Sequence, residues 1–355
     1  MNQSNGTISR VSFMKIPAEE SRFRPPWYLR SGHIQTILGP YALKRSVVLQ
    51  TSRIEVPLLG NQGSTYLYDS LPNAVDPQEK RQAETSGVLL IHGLGGDHSS
   101  PYLTRIASQL LALGKRVIRI DLPGCGLSAR LSDRAAHAGC TDELAGILRW
   151  IRSQLGIESI QIAGFSLGGN ITLKLLAEQK DFDSQHPGEM PEIVRSVVVA
   201  PPIDLAICSG LIEQGFNQVY NRFFLKLLKK LARQRAEQWP RWKAIHQANR
   251  QPIKTIRQFD DIYTAQIGGF QNASDYYSQC ATINRLHEID TPTSMLMDHH
   301  DPIVPASLLD EASIPKCIEV TTSRRGGHIG YFYRPDGAKL TCWMDEWVVS
   351  KLMAP

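Results

Sequence analysis

Between residues 87 and 322 the sequence alternates short, almost wholly apolar runs with longer segments of helical period. The runs are GVLLIHG (87–93), RVIRID (116–121), IQIAG (160–164), IVRSVVVAPP (193–202), TSMLM (293–297) and CIEVTT (317–322). A strand with apolar side chains on both faces must be covered on both faces. Strands joined through helices pair in parallel, because a parallel neighbour requires a long crossover. Segments 101–113, 134–155, 169–180 and 338–352 have the spacing of the helices such a sheet needs. Ahead of the series, SVVLQTSRIEVPLL (46–59) and STYLYDSLP (64–72), joined by the turn GNQG, predict an antiparallel hairpin, and the charged stretch 75–86 reads as a linker. The expected architecture is therefore α/β, with a mainly parallel eight-stranded sheet that begins in an antiparallel hairpin.

From about 205 to 290 no buried strand is evident, which predicts a helical cap inserted between two strands. The expected organisation is a lead segment, 1–45, packing on a core of 46–204 and 291–355, with the cap as 205–290. At 355 residues and 42% hydrophobic, the chain can bury a large core, which excludes a disordered or fibrous protein. Six scattered cysteines form no C-x-x-C pair, so a thiolate metal site is excluded and a reduced setting is the simplest one. No stretch reaches the length of a signal peptide or membrane span, so a soluble, cytoplasmic protein is expected. A net charge of +5 does not point to nucleic acid. No cofactor is expected: DLPGCGLSAR (121–130) is neither a dinucleotide nor a Walker loop, and reads as a structural turn with Cys125 as a packing residue.

Within this frame, IQIAGFSLGGN places Gly164-Phe165-Ser166-Leu167-Gly168 between a buried strand and a helix. Glycines two positions either side of a serine permit a sharp turn that lifts its hydroxyl above the sheet at a helix N-terminus. Ser166 is the candidate nucleophile, and the backbone N–H of Leu167 a candidate oxyanion donor. The Gly-rich turn His92-Gly93-Leu94-Gly95-Gly96 follows an earlier buried strand and offers the N–H of Leu94 as the second donor, with His92 orienting the loop.

A base must come from a loop at the same sheet edge. His328, in TTSRRGGHIGYFY, lies between the last strand and the last helix, and Gly326-Gly327 let its loop bend inward. His33, His137, His246 and His287 read as surface or cap side chains, and His98 as part of the loop after the oxyanion segment. The acid must lie between Ser166 and His328 after a strand end. In SMLMDHHDPIVP, Asp301 precedes a proline that biases it towards an extended backbone, aiming its carboxylate at the loop of His328. Asp298 is the alternative. His299 and His300 are not expected to bind metal, because adjacent residues on an extended loop point in alternating directions.

Residues 222–257 carry eleven Lys/Arg against one acid, Glu237. Phe223, Phe224, Leu227, Leu228 and Leu231 have helical spacing there. The segment reads first as a lid helix with its apolar face over a pocket. It also fits a basic amphipathic helix suited to an anionic membrane surface.

RFRPPWYLRSGHIQTIL (22–38), HGLGGDHSSPYL (92–103), HAGCTDEL (137–144), GFSLGGNITLKLLAE (164–178), YYSQC (276–280) and GGHIGYF (326–332) together resemble segments of the YheT-like α/β hydrolases, relatives of the eukaryotic abhydrolase-domain 1, 2 and 3 proteins. The lead with Pro25, Pro26, His33, Gln35 and Thr36 is the most distinctive part. The resemblance covers nearly the whole chain and implies the α/β-hydrolase fold and esterase or lipase-like activity. Position by position it implies Ser166 as nucleophile, Asp301 as acid and His328 as base, although His300 stands where many relatives carry a further Asp. The expected function is a serine hydrolase cleaving small-molecule or lipid-like carboxylic esters through an acyl-enzyme, with an apolar cap suited to the acyl group. An acyltransferase using the same three residues, or a non-catalytic protein binding a membrane surface, are the alternatives.

Overall fold

The computed structural model describes residues 23–39, 43, 49–73, 77–335 and 339–354. Eight strands form one sheet: β1 (Ser52–Pro57), β2 (Ser64–Ser70), β3 (Ser86–Ile91), β4 (Val117–Ile120), β5 (Ser159–Phe165), β6 (Glu192–Val199), β7 (Thr293–Asp298) and β8 (Ile318–Ser323). Their order is β1-β2-β4-β3-β5-β6-β7-β8. β1 and β2 form the antiparallel hairpin, β2 meets β4 antiparallel, and every other pairing is parallel. The chain has the α/β-hydrolase fold.

Helices α1 (Gly32–Leu38), α2 (Pro77–Thr85), α3 (Pro101–Ala112), α4 (Thr141–Leu155), α5 (Leu167–Ala177) and α6 (Gln179–Gln185) precede β6. The strands' apolar composition has its reason in the two cores they separate. Leu89, Ile91, Ile160 and Ile162 point into one core with α4 and α5, whereas Val88, Leu90, Ala163 and Phe165 point into the other with α3 and the last helix. The hairpin is tied on by a buried bidentate ion pair in which Arg116, at the start of β4, donates to both carboxylate oxygens of Asp69 on β2, at 3.0 and 2.7 Å.

The segment between β6 and β7 is helical: α7 (Leu205–Ile212), α8 (Gln218–Gln238), α9 (Pro240–Ala248), α10 (Ile256–Phe259), α11 (Ala265–Gly268) and α12 (Ala273–Cys280). A π-turn, Asp260–Thr264, joins α10 to α11. The buried stripe of α8 is Asn221, Leu225, Leu228, Ala232 and Arg235, while Phe223 is exposed. Spacing had placed Phe223 on the apolar face; in the fold the stripe is rotated, and a cation occupies one of its positions.

Other local expectations change as well. The charged stretch read as a linker contains α2, whose residues QEKRQAE are strong helix formers without an apolar face to reveal them. Residues 134–140 are not helical and α4 starts at Thr141, because Cys140 and His137 are drawn into a turn in which the Cys140 N–H donates to the His137 carbonyl. The closing helix, α13 (Trp343–Leu352), follows a short antiparallel pairing of β9 (Phe332–Tyr333) with β10 (Thr341–Cys342). Residues 46–48 of the predicted hairpin and most of the 1–45 lead lie outside the described residues.

Candidate active site

At the C-terminal edge of the sheet, the chain leaves β5 directly into Ser166, which has φ 51° and ψ −121° before α5 begins. An L-residue with a side chain is strained in that region, at a cost of about 1–3 kcal/mol. The turn holds because a Cβ on Gly164 would collide with the Gly168 carbonyl and the Thr172 hydroxyl, and because the Ser166 N–H donates to the Val199 carbonyl at 2.8 Å. The Ser166 side chain is half-buried at the N-terminus of α5, whose first N–H groups have no intrahelical acceptor.

Three of the residues singled out from sequence meet here. His328 Nε2 lies 2.9 Å from Ser166 Oγ, and its Nδ1 lies 2.7 Å from Asp301 Oδ2. Asp301 is 3% exposed, and its other oxygen accepts the N–H groups of Ile303 and Val304 at 2.8 and 2.9 Å. Those two donors hold the carboxylate with Oδ2 turned to the imidazole. With the Nδ1–H donating to Asp301, Nε2 is left free to accept from the serine hydroxyl.

Asp298 is fully buried but turned elsewhere. Its oxygens accept from the His300 N–H at 2.8 Å, the Ser323 hydroxyl at 2.6 Å and the Gly326 N–H at 2.8 Å. It ties the loop after β7 to the loop after β8. The side chains of His299 and His300 are exposed.

The turn after β3 packs against the serine. A Cβ on Gly93 would sit 3.0 Å from Ser166 Cβ, so the main chain carrying Leu94 lies against the nucleophile turn. His92 is buried, with Nδ1 2.8 Å from the Gly93 carbonyl and Nε2 accepting the Leu122 N–H at 3.1 Å. Both nitrogens are committed and burial lowers its pKa, so the ring is a neutral brace for the loop. His137, read as a surface or cap side chain, lies instead beneath the inserted segment. It is buried against Phe270 and Tyr276, and burial pushes its pKa down to about 4.

The described part of the N-terminal lead holds the histidine loop. The His328 N–H donates to Thr36 Oγ1 at 2.9 Å, and that hydroxyl donates to the Gly32 carbonyl at 2.7 Å. Gln35, fully buried, donates to the Phe332 carbonyl at 2.9 Å and accepts the Phe332 N–H at 2.8 Å. Sequence reasoning quoted Gln35 and Thr36 without a role. The available signal was two polar side chains eight and nine residues after the Trp of a Pro-Pro-Trp start, in a segment with no chemistry of its own. Replacing Thr36 with Val orphans a buried N–H, and the expected loss is about 1–3 kcal/mol of stability. A displaced imidazole lowers kcat by about 10- to 100-fold in the same variant. Denaturant titration and steady-state kinetics on Thr36→Val check the two effects together.

A cavity of ≈ 160 Å³ opens over Ser166. Its wall combines Leu94, Leu167 and His328 from the sheet edge with Leu205, Phe224, Leu228, Leu231 and Ile256 from the inserted helices. Asp260 also lines it, accepts hydroxyl hydrogen bonds from Thr264 and Tyr277 at 2.7 Å each, and is raised by burial to about 6. Cys125 lines it too, and burial pushes its thiol up to about 12, which leaves it protonated and unreactive. Asp97, His98 and Asp121 bring ligand atoms within 4.8 Å of one another. Asp121 already accepts from His98, Leu127 and Tyr68, and Asp97 from Ser99, so the cluster is spent on its own loop. No helix among the described residues is long and apolar enough to cross a membrane.

Comparison with known proteins agrees with this geometry at the level of fold and chemistry class. Residues 88–335 match the family described as alpha/beta hydrolase fold. The chain is 29% identical to Escherichia coli YheT over 317 residues, covering 88% of each chain. It is 26% identical over 290 residues to a monoacylglycerol lipase of Saccharomyces cerevisiae, covering 79% of this chain and 62% of the relative. It is 21% identical over 328 residues to the human phospholipase ABHD3, covering 92% of this chain and 77% of the relative. The crystal structure of 2,6-dihydroxy-pseudo-oxynicotine hydrolase superposes with a TM-score of 0.53 at 18% identity, over 85% of this chain and 68% of that one, a likeness of fold alone.

Proposed function

Since this chain belongs to the α/β-hydrolase family, and is similar within it to YheT and the ABHD proteins, we propose that it is a serine esterase acting on carboxylic esters with an apolar acyl or alcohol part. The observation that carries this reading is the continuous chain from Ser166 Oγ through both nitrogens of His328 to Asp301, at 2.9 and 2.7 Å, under an apolar cavity. In this reading residues 205–290 are the lid over the cavity, residues 46–204 and 291–355 the catalytic core, and 1–45 the lead, of which residues 23–39 pack on it.

Ser166 Oγ attacks the ester carbonyl as its proton passes to His328 Nε2. The carbonyl oxygen becomes an oxyanion, stabilised by the N–H groups of Leu94 and Leu167. His328 gives the proton to the leaving alcohol as the carbon–oxygen bond breaks, leaving an acyl-Ser166. Water then attacks with His328 as base and releases the acid. Asp301 remains ionised and stabilises the imidazolium. A fluorophosphonate probe tests the assignment: one adduct on intact protein, located at Ser166 by peptide mass spectrometry, is expected, and its absence overturns the reading.

A peripheral contact with an anionic membrane surface is supported by one further observation. Phe216 is 61% exposed and Phe223 47%, beside the cations Arg222 and Lys226, at the start of α8. Sedimentation with phosphatidylserine vesicles is expected to carry the protein down and to fail for Phe216→Ser with Phe223→Ser; sedimentation equal to that with neutral vesicles excludes the contact.

A further inference from the structure

Arg235 occupies a place where a guanidinium is costly. It lies on the buried stripe of α8, is 2% exposed and lines the cavity. Nη1 donates to the Asp133 carbonyl at 3.2 Å, and the group stands 4.9 Å over the Trp242 ring, whose own N–H donates to the same carbonyl at 2.7 Å. Nη2 is buried and has no acceptor among the described residues. No carboxylate pairs with Arg235 among the described residues; Asp260, the one carboxyl of the cavity wall, is engaged by Thr264 and Tyr277. Trp242 and the Asp133 carbonyl thus fix the plane of the guanidinium, while Nη2, lying over Gly124, has no acceptor.

The turn 121–130, which looked purely structural in the sequence, makes room for it. Gly124 has φ +77° and lines the cavity, and any Cβ there would occupy the position of Nη2. A buried, always-charged group with an unsatisfied donor is costly to retain unless something completes it. Carboxylates and phosphates are the groups whose geometry matches a guanidinium edge.

We propose that Arg235 anchors an acidic group, a carboxylate or a phosphate monoester, carried by the ester at a distance from the bond that is cleaved. The proposal rests on Ser166 being the nucleophile and makes the substrate an apolar ester with one anionic end, such as a half-ester of a dicarboxylic acid or an acyl ester of a phosphorylated alcohol. Arg235 is here a specificity-determining residue with no part in bond making.

The test compares matched p-nitrophenyl esters in the full chain. The acids are adipic, suberic and sebacic, with the far end a free carboxylate, a methyl ester or, in a third arm, an ω-phosphate on the acid of equal length. In the wild type, kcat/KM for one charged arm is expected to exceed that for the methyl-capped ester by about 10- to 100-fold, the range of one charge-assisted hydrogen bond. The arm that does so says whether carboxylate or phosphate is taken. Arg235→Met is expected to lose that preference, and Arg235→Lys to keep part of it. Fluorophosphonate labelling of Ser166 checks that each variant is folded; should Arg235→Met not fold, the wild-type ratios still decide. Equal turnover of charged and capped esters by a wild type that labels at Ser166 overturns the subsite and leaves the esterase reading standing. Absence of label together with absence of turnover overturns both.

Discussion

Ser166→Ala is expected to reduce kcat for a p-nitrophenyl ester by about 10⁶-fold and to abolish fluorophosphonate labelling, with the fold intact. The magnitude follows from the way the three residues act together. His328 Nε2 has one acceptor task in the site, the hydroxyl 2.9 Å away, and without that hydroxyl the imidazole has no proton to take. His328→Ala should therefore cost about as much as Ser166→Ala, and the double variant little more, because either change removes the whole unit. The residual rate should come from the oxyanion donors and from binding. A further comparison separates chemistry from conformation. Ser166 has a positive φ that glycine adopts freely, so Ser166→Gly should be about 1 kcal/mol more stable than Ser166→Ala, since relief of the strain exceeds the added flexibility of the unfolded chain. Thermal unfolding of the two inactive variants measures this. Equal melting temperatures would mean that the strain is no larger than the added flexibility of the unfolded chain, and retained turnover in either variant would remove Ser166 from the mechanism.

Asp301→Asn and Asp298→Asn should separate two aspartates that stand three residues apart. In Asp301→Asn the N–H groups of Ile303 and Val304 hold the amide oxygen on their side, because only oxygen can accept from them. The amide nitrogen then faces His328 Nδ1 and donates to it. The imidazole has to carry its proton on Nε2, facing the serine hydroxyl it must deprotonate. The loss expected from that reversed tautomer is about 10⁴-fold in kcat with little change in stability. Asp298→Asn should have the opposite profile. Three donors converge on Asp298, and an amide can satisfy only those on its oxygen, so about 1–3 kcal/mol of stability is expected to go while kcat changes by less than about tenfold. Parallel kcat and denaturant measurements decide it. If Asp298→Asn were inactive and Asp301→Asn active, the acid would have been assigned to the wrong residue.

Legibility in the sequence followed the range of each interaction. All six apolar runs from 87 to 322 became strands at nearly their predicted places, because burial of a parallel sheet on both faces writes its period directly into the residues. The Ser166 turn was legible for a similar reason, since its steric demands fall on Gly164 and Gly168 within the same five residues. The helix 77–85 was hidden because Ala83 is the one apolar side chain between Pro77 and Thr85, too few for a period, and such polarity also describes a loop. His137 reads as a surface or cap side chain because nothing local announces the ring pair, Phe270 and Tyr276, that closes over it from the inserted segment.

Arg235 shows the same limit within one helix. Nothing sets it apart among the eleven cations of 222–257 except the spacing 221, 225, 228, 232, 235, which puts it on the buried stripe. The sequence by itself determined the α/β architecture, the place of the helical insertion and the candidate serine, because hydrophobic period and turn chemistry are properties of neighbouring residues. Only the tertiary structure decided that Asp301 and not Asp298 faces His328, that Thr36 and Gln35 hold the histidine loop, and that Arg235 lines the cavity. Those outcomes depend on distances between residues far apart in the chain, which are set when the two cores pack and the strand ends come together.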